Sequence, residues 1–138
     1  MRSRILLTTG VFVAVFVAGT VATSDHGRGA TRQWAVVYLA EPTLIGSTIV
    51  QGPVLFTHDD AKLARGEPCT TVRLFEPATG PDEEIASFHC MPVSRKIVHA
   101  FTLRTRPNTE MGLGCVLTEY QFAGETEGHG VPISAHAH

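Results

Sequence analysis

The chain has 138 residues, with 11 lysines and arginines against 13 aspartates and glutamates, a formal net charge of −2 at pH 7. That length suits one domain rather than two, and a charge so mild and scattered excludes nucleic acid and anionic membrane surfaces as expected partners.

The first segment carries a compartment signal. Arg2 and Arg4 make a basic start, residues 5–19 are apolar and uncharged, and the small residues Thr20, Val21 and Ala22 follow. This order predicts a secretory signal peptide over 1–22. A retained anchor is the rival, because residues 5–22 reach the bottom of the spanning range, but Thr8, Thr9 and Gly10 lower their hydrophobicity. The two arginines are not adjacent and no cysteine follows the apolar run, which argues against twin-arginine export and a lipid anchor. Cleavage after Ala22 leaves nine basic and thirteen acidic side chains and no second long apolar stretch. The mature part is therefore expected to be soluble, in the periplasm or outside the cell, with no membrane contact after cleavage.

Residues 23–32 are small, polar and glycine-bearing, and read as a flexible lead-in. A single β-rich domain is expected over 33–133. QWAVVYLA (33–40) is apolar on both alternating sets, as in a central strand. STIVQGPVLFTH (47–58) places Val50, Val54, Phe56 and His58 on one parity, with a bend or bulge at Gly52-Pro53. HDDAKLARGEPC predicts one short helix at about 60–65: Asp59 or Asp60 caps its amino end, Lys62 and Arg65 suit its carboxyl end, and Gly66 and Pro68 stop it. CTTVRLFE (69–76) and EIASFHC (84–90) form a hairpin around a turn-rich segment. IVHAFTLRT (97–105) alternates, with Ile97, His99, Phe101 and Leu103 inward. CVLTEYQF (115–122) groups Val116, Tyr120 and Phe122 against Glu119 and Gln121. Residues 134–138 are expected to fray. The fold class that follows is mainly β, a small antiparallel sandwich or barrel with one short helix.

The three cysteines, Cys69, Cys90 and Cys115, allow one bridge and one free thiol. A turn centred on Thr79-Gly80 sets Cys69 opposite Cys90, and an oxidising compartment favours their disulfide. Closing that loop adds about 3 kcal/mol if unstrained. Cys115 is then the free thiol. In SFHCMP (87–92) the strand alternation turns His89 and Met91 away from Cys90, so one ion does not take all three without a kink. His89 then falls beside Val72 and Leu74 as a half-buried, hydrogen-bonded histidine.

Well-defined metal motifs are missing: the sequence holds no CxxC, HExxH or CxxCH, and no methionine follows Cys115 to complete a blue-copper set. Two weaker constellations remain. Glu125, Glu127 and His129 alternate in GETEGH and offer carboxylates and an imidazole on one side of an extended segment, for a divalent ion or simply for solvent. His58 and His99 both stand on core parities. If those faces line one interior, two imidazoles meet there with Asp59 or Asp60 at the rim, as a base or a ligand pair. No GxSxG elbow is present, and no histidine is tied to Cys115 by spacing. No motif names a cofactor.

The strings THDDAKLARGEPCTT (57–71), SFHCMP and GHGVP (128–132) together resemble a group of small, β-rich, exported bacterial proteins of unknown role. The resemblance covers about residues 47–132. It implies a bacterial, extracytoplasmic setting and points to His58, Asp59, Cys69, His89 and Cys90; no activity comes with it. The expected function is an exported binding module for a small molecule, a metal or an envelope component. A structural or protein-interaction domain of the cell envelope is the alternative, and an enzyme built on histidine and a carboxylate comes last.

Overall fold

The structure is a computed structural model that describes residues 11–12, 18–21 and 32–133. Of the expected signal segment it describes two backbone strands, β1 (Val11–Phe12) and β2 (Ala18–Val21). The rest of 1–22, the lead-in up to residue 31 and the tail 134–138 lie outside the described residues, as do His26, His136 and His138.

Among the described residues the chain is mainly β, with one short helix and an open sheet curled into a half-barrel. β3 (Arg32–Ile45) and β4 (Thr48–Asp59) form a long hairpin with one irregularity between Leu39 and Thr43, opposite Gly52 and Val50. Helix α1 (Asp60–Ala64) follows and leads to β5 (Thr70–Glu76) and β6 (Gly80–Phe88). β7 (Met91–Ser94), β8 (Thr102–Pro107), β9 (Cys115–Gln121) and β10 (Glu127–Gly130) come next. The main path of the sheet runs β1-β8-β9-β3-β4-β5-β6. β2 lies on β3, and β10 is inserted antiparallel between β9 and β7. β9 joins β3 in parallel only over Thr43–Leu44.

The helix forms where capping chemistry is available. Asp59 is the N-cap: its carboxylate accepts from the amides of Ala61 at 2.9 Å and Lys62 at 3.3 Å. Gly66, at φ +73°, takes the left-handed position that ends the turn. The excursion closes where the Asp59 amide donates to the Cys69 carbonyl at 2.9 Å, which brings β5 back beside β4.

β4 buries Val50, Val54, Phe56 and His58, as its parity predicts. β3 alternates more strictly than expected: Gln33, Ala35, Val37 and Leu39 are buried, while Trp34 and Val36 are half-buried and Tyr38 is exposed. Only one face of β3 packs on the core, so the expectation of two buried faces is corrected. The core centres on Phe56, Phe101, Tyr120 and Phe122, whose rings stand 5.2–6.0 Å apart in the pairs they form. Val37, Val54, Val72, Ile45 and Leu117 pack around them.

Three sequence expectations fail in the second half. Residues 97–101 are not a strand; β8 starts at Thr102, and Ile97 and His99 are exposed. In β9, Glu119 and Gln121 are as buried as Tyr120. Glu119 is held by Arg95 and Arg104, and Gln121 donates to the carbonyls of Lys96 and Glu125, both at 2.8 Å. In the β5–β6 hairpin two irregularities shift the register, so that Glu76 pairs Gly80 while Thr70 pairs Phe88. Phe75 then lines an outer depression with Trp34 and Leu55, while Phe88 enters the core.

Candidate functional site

Two walls of the half-barrel meet at one end of the aromatic core. On one wall the register runs Gln33, His58, Thr70, Phe88 across β3, β4, β5 and β6. On the other it runs Tyr120, His129, Pro92 across β9, β10 and β7. His58 extends the inward parity of Phe56 by one step, and His129 faces it with ring centroids 4.4 Å apart. Tyr120 stacks on His129 at 4.8 Å, the rings 18° from parallel. Its hydroxyl shares a short hydrogen bond with Thr70 Oγ1.

The two thiols complete the cluster. Cys69 immediately precedes β5 and is 1 % exposed. Cys90 lies in the connection between β6 and β7, off the ladder, and is half-buried. Their sulfurs are 3.0 Å apart, and both thiols are free. The Cys90 amide donates to Cys69 Sγ at 3.4 Å, and Cys90 Sγ stands 3.5 Å from His129 Nδ1. One nitrogen of His58 and the sulfurs of Cys69 and Cys90 all lie within 4.8 Å of one another.

The expectation that Cys69 and Cys90 come together holds, but not by the route expected. They are not ladder partners. The chain leaves β6 after Phe88, and this departure turns Cys90 back over Cys69.

The surroundings set the protonation of these groups. Burial lowers the pKa of His129 to about 4, and the facing His58 adds to that. Burial also lowers His58, opposed mainly by Asp60, whose Oδ1 is 3.5 Å from His58 Nδ1. Both imidazoles are therefore neutral near pH 7, the form that binds a metal. Burial and the contact with Cys69 push the Cys90 thiol up to about 12. A thiol so hard to ionise is a poor free nucleophile, because the thiolate is the reactive form. Tyr120 is raised by burial as well.

Comparison with protein-family models, with curated proteins and with solved structures finds no match for this chain.

The remaining candidates are placed as follows. Asp59 spends its carboxylate on the helix cap, and Asp60 is the acid that faces His58. His99 is exposed and does not join His58, so the predicted His58–His99 pair is corrected: the second imidazole is His129. His89 is exposed instead of half-buried beside Val72 and Leu74. Glu125, Glu127 and His129 do not gather as a ligand set. Glu125 accepts from Gln33 Nε2 at 2.8 Å, Glu127 is exposed with Oε1 3.9 Å from His129 Nδ1, and His129 is turned inward. Cys115 is buried at the other end of β9, 3.4 Å from Thr43 Oγ1, and burial raises its pKa.

Sequence reasoning missed Thr70 and the pairing of Tyr120 with His129. A signal was present. Reading FAGETE (122–127) as the loop of a hairpin sets Gln121 across from Gly128 and Tyr120 across from His129, the register observed.

Proposed function

We propose that this chain is an exported binding module whose ligand is a soft d10 metal ion, zinc in the first place, held by Cys69, Cys90 and His58. The observation that carries the reading is the convergence of two thiols and an imidazole nitrogen within 4.8 Å in a largely buried cluster. Thiolate and imidazole are the donor set that zinc takes in tetrahedral sites. Two thiolates neutralise Zn²⁺, which suits a buried site where net charge is costly. Asp60 at Nδ1 of His58 supplies the carboxylate partner that metal-binding histidines usually have, leaving Nε2 as the ligand atom. Zinc–sulfur bonds of about 2.3 Å at a tetrahedral angle place the sulfurs about 3.8 Å apart. From 3.0 Å, the pair opens by less than 1 Å. His129 Nδ1, 3.5 Å from Cys90 Sγ, is the nearest further donor for a fourth position.

A second reading is favoured by the same distance. Sulfurs 3.0 Å apart are about 1 Å from the bond length of a disulfide. A bridged chain is then a structural or interaction domain of the envelope, stapled between β5 and the end of β6. The basic start and the apolar run of residues 5–19 support export in both readings.

Mass spectrometry of the reduced protein, supplied with one equivalent of zinc, separates the two. The metal reading expects one zinc per chain under native conditions, lost in Cys69→Ser and reduced in His58→Gln. A reduced protein that retains no zinc, and that on air oxidation loses two hydrogens mapped to Cys69 and Cys90, leaves the structural domain.

A further inference from the structure

The structure points to a redox gate on this site: we infer that the thiolates of Cys69 and Cys90, which hold the metal when reduced, close into a disulfide that expels it. The inference rests on the metal reading above and adds how the ion is released. Three features carry it.

The first is distance. At 3.0 Å the sulfurs stand between the separation of two ligands on one ion, about 3.8 Å, and a covalent bond, about 2.05 Å. Either state is within about 1 Å of the same backbone. The two are mutually exclusive, since a disulfide sulfur has given up the thiolate charge that binds zinc.

The second is asymmetry. Cys69 is anchored: it is 1 % exposed, and its carbonyl accepts from the Asp59 amide at 2.9 Å. Cys90 lies between β6 and β7, outside either ladder, and keeps partial exposure. A small oxidant meets Cys90 first and Cys69 resolves. The oxidant is a low-molecular-weight disulfide, RSSR. With zinc in the place of the proton the Cys90 sulfur is a thiolate; it attacks one sulfur of RSSR, forms the mixed disulfide and expels RS⁻. The Cys69 sulfur then attacks the Cys90 sulfur and expels the second RS⁻. Two protons from solvent give two RSH, and Zn²⁺ leaves with its charge unneutralised. Excess RSH reverses the sequence and restores the ligands.

The third is that the polar groups around the thiols have partners of their own. Among the described residues no buried side-chain nitrogen or oxygen lacks a hydrogen-bond partner. His58 faces Asp60 and Tyr120 keeps Thr70, so emptying the site strands no polar group. The third thiol stays out of the exchange, because Cys115 sits at the far end of β9 against Thr43.

The test uses the exported protein carrying Cys115→Ser, reduced without oxygen and loaded with zinc. Oxidised glutathione is added, with free zinc followed by a chromogenic chelator and the protein by mass. The expected result is one zinc released per two hydrogens lost, mapped to Cys69 and Cys90, with rebinding after reduced glutathione is added in excess. A protein that forms the bridge yet keeps its zinc overturns the gate and leaves the metal reading standing. A protein that binds zinc but never bridges does the same. Reduced protein with native near-UV circular dichroism and no zinc uptake overturns both.

Discussion

His58 on β4 and His129 on β10 face each other with ring centroids 4.4 Å apart, both almost fully buried. Neither strand pairs with the other. The contact exists because β10 is drawn against β9, which lays His129 beside Tyr120 and over the inward end of β4.

This pair makes the reduced, metal-free protein acid-sensitive. His129 folds with a pKa of about 4 and regains about 6.5 on unfolding, and His58 is shifted in the same direction. Well above pH 6.5 both states are neutral and the stability is complete. As the pH falls towards 4 the unfolded chain takes up the proton first, so stability is lost. His129 alone contributes a loss of about 2 kcal/mol between pH 7 and pH 5. Urea unfolding at the two values measures it, and a midpoint that does not fall would contradict the buried neutral state.

Tyr120 is predicted to matter for stability through one hydroxyl. In Tyr120→Phe the ring still stacks on His129, but Thr70, fully buried, keeps only its 3.9 Å contact with Cys69 Sγ. The expected cost is about 1 kcal/mol by chemical denaturation. Adding Thr70→Val should recover part of it, since the stranded hydroxyl is then gone. Additive losses in the double variant would argue against the bond.

Glu119 is a buried carboxylate whose fit depends on two guanidiniums. Arg95 meets it through two nitrogens at 2.8–3.2 Å, and Arg104 Nη1 donates from the neighbouring strand. The expected order of destabilisation is Arg95→Ala, the mildest, then Arg104→Ala, then Glu119→Ala. Arg95 is the more exposed arginine, and removing Glu119 leaves two charges facing each other. Glu119→Ala should cost about 2–3 kcal/mol, with solvent screening keeping it at the low end for a broken buried pair. Thermal denaturation of the three variants checks the order.

Two glycines with similar backbones should respond differently to alanine. Gly114 (φ +74°) and Gly124 (φ +82°) both occupy the left-handed region, which costs a side chain about 1 kcal/mol. At Gly124 a Cβ meets nothing within 4 Å, so Gly124→Ala should lose only that amount. At Gly114 the Cβ would sit 2.0 Å from the Pro42 carbonyl oxygen, where β9 meets β3. Gly114→Ala is expected to destabilise by several-fold more, and equal losses at both positions would show that the contact relaxes.

Much of this architecture was legible in the residues. The alternation of Val50, Val54, Phe56 and His58 gave the buried face of β4, and Asp59, Gly66 and Pro68 bounded the helix. Cys69 and Cys90 were recognised as neighbours from a hairpin, although the register that justified it slips at two places. Alternation misled where both faces of a strand are covered. Glu119 and Gln121 stand on the parity opposite Tyr120 and Phe122, yet Arg95, Arg104 and two backbone carbonyls receive them inside. It misled again at 97–101, where an alternating string has no ladder to join and His99 turns outward.

The sequence by itself determined a mainly β chain with one capped helix, one inward histidine on β4 and two cysteines flanking the β5–β6 hairpin. These are local signals: a period of two, a cap, a stop and a turn all act within a few residues. The tertiary structure alone decided that His129 meets His58, that Tyr120 closes on Thr70, and that Cys90 folds back to put its sulfur beside both Cys69 and His129. Those contacts depend on which strand ends the curled sheet brings together. No local pattern carries that information, because it follows from where β10 finds room between β9 and β7.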